Sequence, residues 1–163
     1  MTTHTGWIGN YYEDFVVGDV YEHPLGRTVT ENDNIWFTLL TQNTAPIHFD
    51  SEYAIRTEFG KPLMNSAFTL ALVVGQTVTD ISQNVFANLG WTDIVLPNPV
   101  FAGDTIHSRS TIMGVRESKS RPKLGIVSVD TEGYNQRGET VITFKRSALI
   151  YKRGFGPRFE NAN

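Results

Sequence analysis

The sequence predicts an α+β domain in which an antiparallel sheet wraps one long apolar helix. Residues 65–82 (NSAFTLALVVGQTVTDIS) form the longest apolar segment of the chain; its β-branched content leaves a strand open, but it is longer than an ordinary strand, and Asn65 or Ser66 offers an N-cap. From about residue 91 the pattern changes to alternating or β-branched runs at 104–115, 124–133 and 139–152, punctuated by PNP, AGD, SRPKLG and NQRG. Helices precede a meander of strands, an order that suits a sheet layered on a helix.

The remaining elements follow in chain order. Residues 28–42 (TVTENDNIWFTLLTQ) read as a short helix: Thr30 with Asp33 three positions later forms a capping box, and Ile35, Trp36, Leu39 and Leu40 make one apolar face. In NTAPIHFD, Pro46 disfavours helix in the residue before it, and Asp50 caps a second short helix carrying Tyr53 and Ala54. Asn43 to Phe49 is therefore expected as an irregular loop held between two helices. FGKP at 59–62 turns the chain into the long helix. No repeat or linker interrupts residues 1–155, read as one domain, and the polar tail at 156–163 is expected to be loose.

With 163 residues, 40% of them hydrophobic, the chain suits a single core. Its 14 basic and 17 acidic residues give a net charge of −3, which leaves no general basic field for a nucleic-acid backbone. The absence of cysteine removes disulfides, thiolate nucleophiles and cysteine-bound zinc, and fits a reducing compartment, so a cytoplasmic location is expected. MTTHTGWIGNYYEDF lacks a cationic patch followed by an apolar run, and no stretch reaches the roughly 20 apolar residues that span a bilayer, so no membrane partner is expected. His4, His23 and His107 have no metal-ligand spacing, and no Gly-x-Gly-x-x-Gly or P-loop string occurs, so neither a metal nor a nucleotide cofactor is expected.

NTAPIHFDSEYAIRTEFGKPLMNSAFTLALV resembles the motif of the MaoC-like (R)-specific enoyl-CoA hydratases, whose usual form is Asp-x-Asn-Pro-x-His-x-Asp, then Phe-Gly-x-Pro and a His-Gly pair. Pro46, His48 and Asp50 match it, as do Phe59, Gly60 and Pro62, while PVFAGDT at 99–105 and RESKSRPKLG at 116–125 look like further family segments. The resemblance covers roughly residues 10–152. It departs where Asn43 replaces the catalytic Asp, where Ala45 replaces Asn, and where Asn65-Ser66 replaces His-Gly. It implies a hot-dog fold and hydration of an enoyl-CoA, with coenzyme A as carrier part of the substrate and no other cofactor. It leans to the branch handling short branched dicarboxylic acyl-CoAs such as mesaconyl- or itaconyl-CoA, and implies an acyl-CoA groove between subunits to which a neighbour can lend Arg or Lys.

Hydrating a 2-enoyl thioester requires an activated water at C3, a proton at C2, and stabilisation of the charge growing on the thioester oxygen. His48 is the side chain near the motif whose residue type titrates around neutrality, which makes it the general acid/base; read in isolation, such a His equally satisfies buried carbonyls. Asn43 has no useful acid–base chemistry, so it either positions the water or the His48 ring, or it is a turn residue. A backbone N–H at Ser66 serves as oxyanion donor, because helix N-termini present unpaired N–H groups, with Asn65 beside it among the substrate-binding residues. Asp50 reads as a helix cap.

Arg116, Lys119, Arg121 and Lys123 form a basic cluster suited to the phosphates of coenzyme A, or a solvated hairpin. Tyr11, Tyr12, Phe37, Met64, Phe68 and Trp91 are pocket walls or plain core, and Arg27 or Arg56 can meet a distal carboxylate. Two other functions stand beside the hydratase. One is an inactive acyl-CoA-binding protein that kept the fold. The other is a thioesterase, which would want an acid early in the long helix, where residues 65–75 have none. A lone sheet of this kind leaves an edge and part of a face open, so a homodimer or larger homo-oligomer is expected.

Overall fold

The computed structural model describes Thr2 and residues 8–157; His4 and all but Gly156 and Pro157 of the expected tail lie outside the described residues. A five-stranded antiparallel sheet has the order β1-β3-β4-β5-β2, with β1 Val20–Thr28, β2 Val85–Val95, β3 Thr105–Glu117, β4 Leu124–Tyr134 and β5 Thr140–Tyr151. The last three are the strands expected from the alternating runs. In β4 and β5, Val127 and Val129 share the core-facing side of the sheet with Ile142, Phe144, Ala148 and Ile150.

The edge strands β1 and β2 escape the sequence pattern for local reasons. Pro24 and Gly26 interrupt β1, whose pairing to β3 shifts between His23 and Arg27. Three register shifts break β2, and Gly90 (φ 147°) and Asp93 (φ 53°) take conformations outside the ordinary strand range.

The long apolar segment is a helix, α3 (Ser66–Gln76), but it does not run straight to residue 82: a π-helical turn, Val78–Ser82, follows it. Thr69 and Val73 are its buried residues. At Gly133 of β4 a Cβ would lie 2.7 Å from a Val73 methyl, so the absence of a side chain lets the helix settle onto the sheet. The π turn delivers Asp80 to His23 (Oδ2–Nδ1 2.8 Å), and His23 Nε2 lies 2.9 Å from Ser110 Oγ. This row looks like a hydrolytic triad, yet Ser110 has no exposed surface and shares its hydroxyl with Thr131, so it ties helix to sheet.

The segment between β1 and α3 forms a cap of two short helices, α1 (Glu31–Leu40) and α2 (Ser51–Ala54), around a 3-10 turn at Pro46–His48. The Thr30–Asp33 capping box is present. Burial works against the charge on Asp33, but the bonds from Arg27 and from the Thr30 N–H and hydroxyl outweigh it and hold its carboxyl below the usual range. The expected apolar face of α1 is a correction. Ile35, Trp36, Leu39 and Leu40 are exposed, Leu40 to 78%, while Asn34 and Thr38 are the buried residues. The helix turns its polar side inward because the turn beneath it presents main-chain groups that need partners.

Candidate active site

The site grows from a loop that the sequence bends in three places. Gln42 (φ 54°) ends α1, Asn43 Oδ1 accepts the Ala45 N–H (2.9 Å), and Pro46 fixes the first residue of the 3-10 turn. His48 closes that turn, and Asp50 caps α2 by accepting the Tyr53 N–H (3.0 Å).

His48 is half-buried, and its Nδ1 lies 2.8 Å from the Leu63 carbonyl oxygen. A carbonyl only accepts, so Nδ1 carries the proton and Nε2 is left as the nitrogen that gains and loses one. Leu63 is fixed from both sides. Its N–H donates to Ile47 O (3.1 Å), and it bridges to Phe101 in the turn before β3. That turn is held by Asp104, which accepts from the Phe101 N–H, Gln136 and Arg137. Burial opposes its charge, but these bonds prevail and hold the Asp104 carboxyl below the usual range.

Asn34 joins the His48 loop to the helix α3. Its Nδ2 donates to His48 O (2.6 Å) and Leu63 O (2.9 Å), and its Oδ1 accepts the Asn65 N–H (2.9 Å). Only 2% of the residue is exposed, so the amide spends its bonding capacity inside the protein. Sequence reasoning missed it because Asn34 lies in a helix whose apolar residues were expected to face inward; the polar pair Asn34 and Thr38, one turn apart, was the available signal.

Asn65 is the N-cap of α3, its Oδ1 accepting from Ala67 N (2.9 Å) and Phe68 N (3.4 Å). Among the described residues the Ser66 N–H has no hydrogen-bond partner, and Ser66 borders a cavity of about 270 Å³ with Phe59, Leu63, Met64, Leu96 and Pro97. The structure thus brings His48, Asn65 and Ser66 into one network through Leu63 and Asn34. A histidine whose Nδ1 is engaged, together with an unpaired N–H at a helix start that borders an apolar cavity, suits a reaction that moves a proton and builds charge on a carbonyl oxygen.

The other site candidates stand outside this network. Asn43 makes its turn, and no hydrogen bond joins it to the His48 ring among the described residues. Arg116, Lys119, Arg121 and Lys123 occupy the β3–β4 hairpin, where Arg121 lies over the Phe86 ring (4.7 Å) and Lys123 over the Phe155 ring (5.4 Å). The site adjoins the opposite end of β3, about 40 Å of strand away, so within one chain this cluster does not reach His48. Arg27 pairs with Asp33 (2.7 Å) and lies 6.0 Å from the Phe68 ring, itself edge-on to Phe37. Met64 borders the cavity, whereas Tyr11 and Tyr12 pack at the far end near Phe155 and Gly125. His107 stacks on Tyr134, and among the described residues no cluster of His, Asp and Glu could hold a metal. Nor is any described helix long and apolar enough to cross a membrane.

Comparison with known proteins gives the family. A sequence model of the mesaconyl-CoA hydratases matches residues 2–156. The mesaconyl-CoA hydratase of Cereibacter sphaeroides is 33% identical over 145 residues, which are 89% of this chain and 42% of that protein. The beta-methylmalyl-CoA dehydratase of Chloroflexus aurantiacus is likewise 33% identical over 89% of this chain and 41% of its own length. The chain therefore spans about two fifths of the curated relatives it matches. A Mycobacterium tuberculosis protein with a double hot-dog fold superposes with a TM-score of 0.82 at 21% identity, covering 91% of this chain and 46% of that one, which supports the fold. This chain is a hot-dog domain and belongs to the MaoC-like mesaconyl-CoA hydratase family.

Proposed function

We propose that this chain is a hydro-lyase that adds water across, or removes it to form, the 2,3 double bond of an enoyl-CoA thioester. The observation that carries the reading is the His48 Nδ1–Leu63 O bond, which leaves Nε2 as the ring nitrogen open to proton exchange. Water adds to C3 as Nε2 takes its proton. The electron pair of the double bond moves towards the thioester oxygen, where the Ser66 N–H receives the growing charge. The same nitrogen then returns a proton to C2 as the enolate collapses, so one molecule of water is consumed and the histidine is regenerated.

The substrate reading is a short branched dicarboxylic acyl-CoA. It rests on the two relatives above, a hydratase and a dehydratase, which name opposite directions of one reaction class. Coenzyme A enters as part of the substrate. A second copy of the chain is the proposed partner, because β2 is a sheet edge whose start lies by Arg121 and whose far end runs into Leu96 and Pro97 at the Ser66 cavity. Antiparallel pairing of two such edges would lay one copy's basic hairpin beside the other's His48, where it could meet the phosphates of coenzyme A.

The test is hydration of crotonyl-, mesaconyl- and itaconyl-CoA by purified protein, followed through loss of the enoyl-thioester absorbance, with His48→Ala in parallel. Consumption of mesaconyl-CoA by the parent and not by the variant is the expected result. Binding of all three without turnover would instead favour an acyl-CoA-binding protein, the reading that Asn43 in place of Asp keeps open. Release of free coenzyme A would indicate a thioesterase.

A further inference from the structure

A dicarboxylic acyl group such as the mesaconyl group ends in a carboxylate three bonds beyond the thioester carbon. The cavity at Ser66 offers that carboxylate no counter-charge, because the described residues that line it, Phe59, Leu63, Met64, Thr69 and Asn98 among them, are all uncharged. The Thr69 hydroxyl already donates to Asn65 O (3.4 Å), and the Asn98 amide to Thr140 O (2.9 Å). A carboxylate left unpaired in such surroundings is costly, so its cation has to come from beside the cavity.

Arg27 is engaged, since Asp33 holds its guanidinium at 2.7 Å. Lys61 is not. Among the described residues no acid pairs with its ammonium, and its Nζ rests 4.3 Å from the centre of the Phe101 ring. The chain sets its place: Phe59 and Leu63, two residues to either side of Lys61, both line the cavity, and Gly60 (φ 68°) turns the backbone between them. Phe101 belongs to the same wall. It follows Val100, a lining residue, bridges to Leu63, and tilts against Phe59 with the ring centres 6.5 Å apart. Lys61 is itself exposed, and its flexible four-carbon stem lets the ammonium leave the ring for a carboxylate, the stronger partner. Leu63 O orients His48, and Ser66 lies three residues further on, so an acyl group held at Lys61 is also held in register with both.

We propose that Lys61 sets the acyl specificity of this site: it supplies the counter-charge for the distal carboxylate of a dicarboxylic acyl-CoA whose thioester oxygen sits at the Ser66 N–H. This assignment rests on the substrate reading above and names the residue that enforces it.

The test is calorimetric titration of the parent, Lys61→Met and Lys61→Arg with succinyl-CoA and butyryl-CoA. These are saturated thioesters of equal chain length that cannot be hydrated, and they differ in carrying a carboxylate or a methyl at C4. The parent is expected to bind succinyl-CoA the more tightly by about tenfold or more, and Lys61→Met should lose that preference through succinyl-CoA alone, with butyryl-CoA unchanged within about twofold. Lys61→Arg keeps the charge and should keep most of the preference, which in the parent should shrink as salt is raised. The ratio of kcat/KM for mesaconyl-CoA to that for crotonyl-CoA should move in step. A purely structural role for Lys61, or a contact with the phosphates of coenzyme A, would weaken both ligands together, and that result overturns the assignment. So does a parent without preference, or a preference that survives Lys61→Met. If the preference depends on Lys61 while mesaconyl-CoA is not hydrated, the hydratase reading fails and Lys61 stands as the selector of a binding protein. If mesaconyl-CoA is hydrated with a selectivity indifferent to Lys61→Met, this assignment fails alone. A parent that binds neither thioester overturns both.

Discussion

His48 Nδ1 and the Leu63 carbonyl oxygen lie 2.8 Å apart, and this one contact decides which imidazole nitrogen can do chemistry. Leu63 cannot shift without disturbing Ile47, Phe101 and Asn34, so the tautomer of His48 is fixed by the main chain of two loops.

Removing the imidazole should therefore remove turnover and spare binding. His48→Ala is expected to lower kcat by about 10²–10⁴, the usual range for a general acid/base, with the dissociation constant for the acyl-CoA little changed. Steady-state kinetics with calorimetric titration of the substrate checks the split between the two.

Asn34 is expected to matter as much for stability as for catalysis. In Asn34→Leu the His48 and Leu63 carbonyls and the Asn65 N–H all lose their shared partner. Each buried group left unpaired costs about 1–3 kcal/mol, so a loss of several kcal/mol in urea unfolding is expected, with reduced kcat in whatever folds.

Asn43 should behave as a turn residue. Asn43→Ala gives up the bond to the Ala45 N–H and is expected to cost about 0.5–1.5 kcal/mol with only a small change in kcat. Asn43→Asp keeps an acceptor at that place and should fold as stably as the parent. A kcat loss in Asn43→Ala as large as that of His48→Ala would mean that Asn43 touches the reacting water.

Asp104 gives the fold an acid limit. Its folded pKa is depressed by hydrogen bonds that outweigh burial, so its contribution is complete above the unfolded value of about 3.9 and is lost as pH falls through the lower folded value. Asp104→Asn should be less stable near neutrality, and its stability should fall less steeply below pH of about 4 than the parent's. Urea midpoints measured across that range test both.

How much of this was legible in the sequence depends on whether neighbours along the chain or across space supply the bonding partners. The Thr30–Asp33 box and the Asp50 and Asn65 caps are local and were readable from spacing. The alternating strands β3 to β5 were readable because one face is buried along most of their length. The edge strands were not, since Pro24, Gly90 and Asp93 break their alternation. The facing of α1 was misread because carbonyls beneath the helix claim Asn34 for the inner side, which leaves Trp36 and Leu40 exposed. Asn34, at the centre of the site, owes its role to carbonyls 14 and 29 residues away, a relationship that spacing within a helix does not carry.

The most direct test of the central claim is the hydration of mesaconyl-CoA in D₂O, comparing the parent with His48→Ala and reading the hydrated product by NMR. The account predicts one deuterium at C2 on the face that receives the hydroxyl at C3, since a single nitrogen serves both, and no product from the variant. Full turnover by His48→Ala, or deuterium on the opposite face, would contradict it.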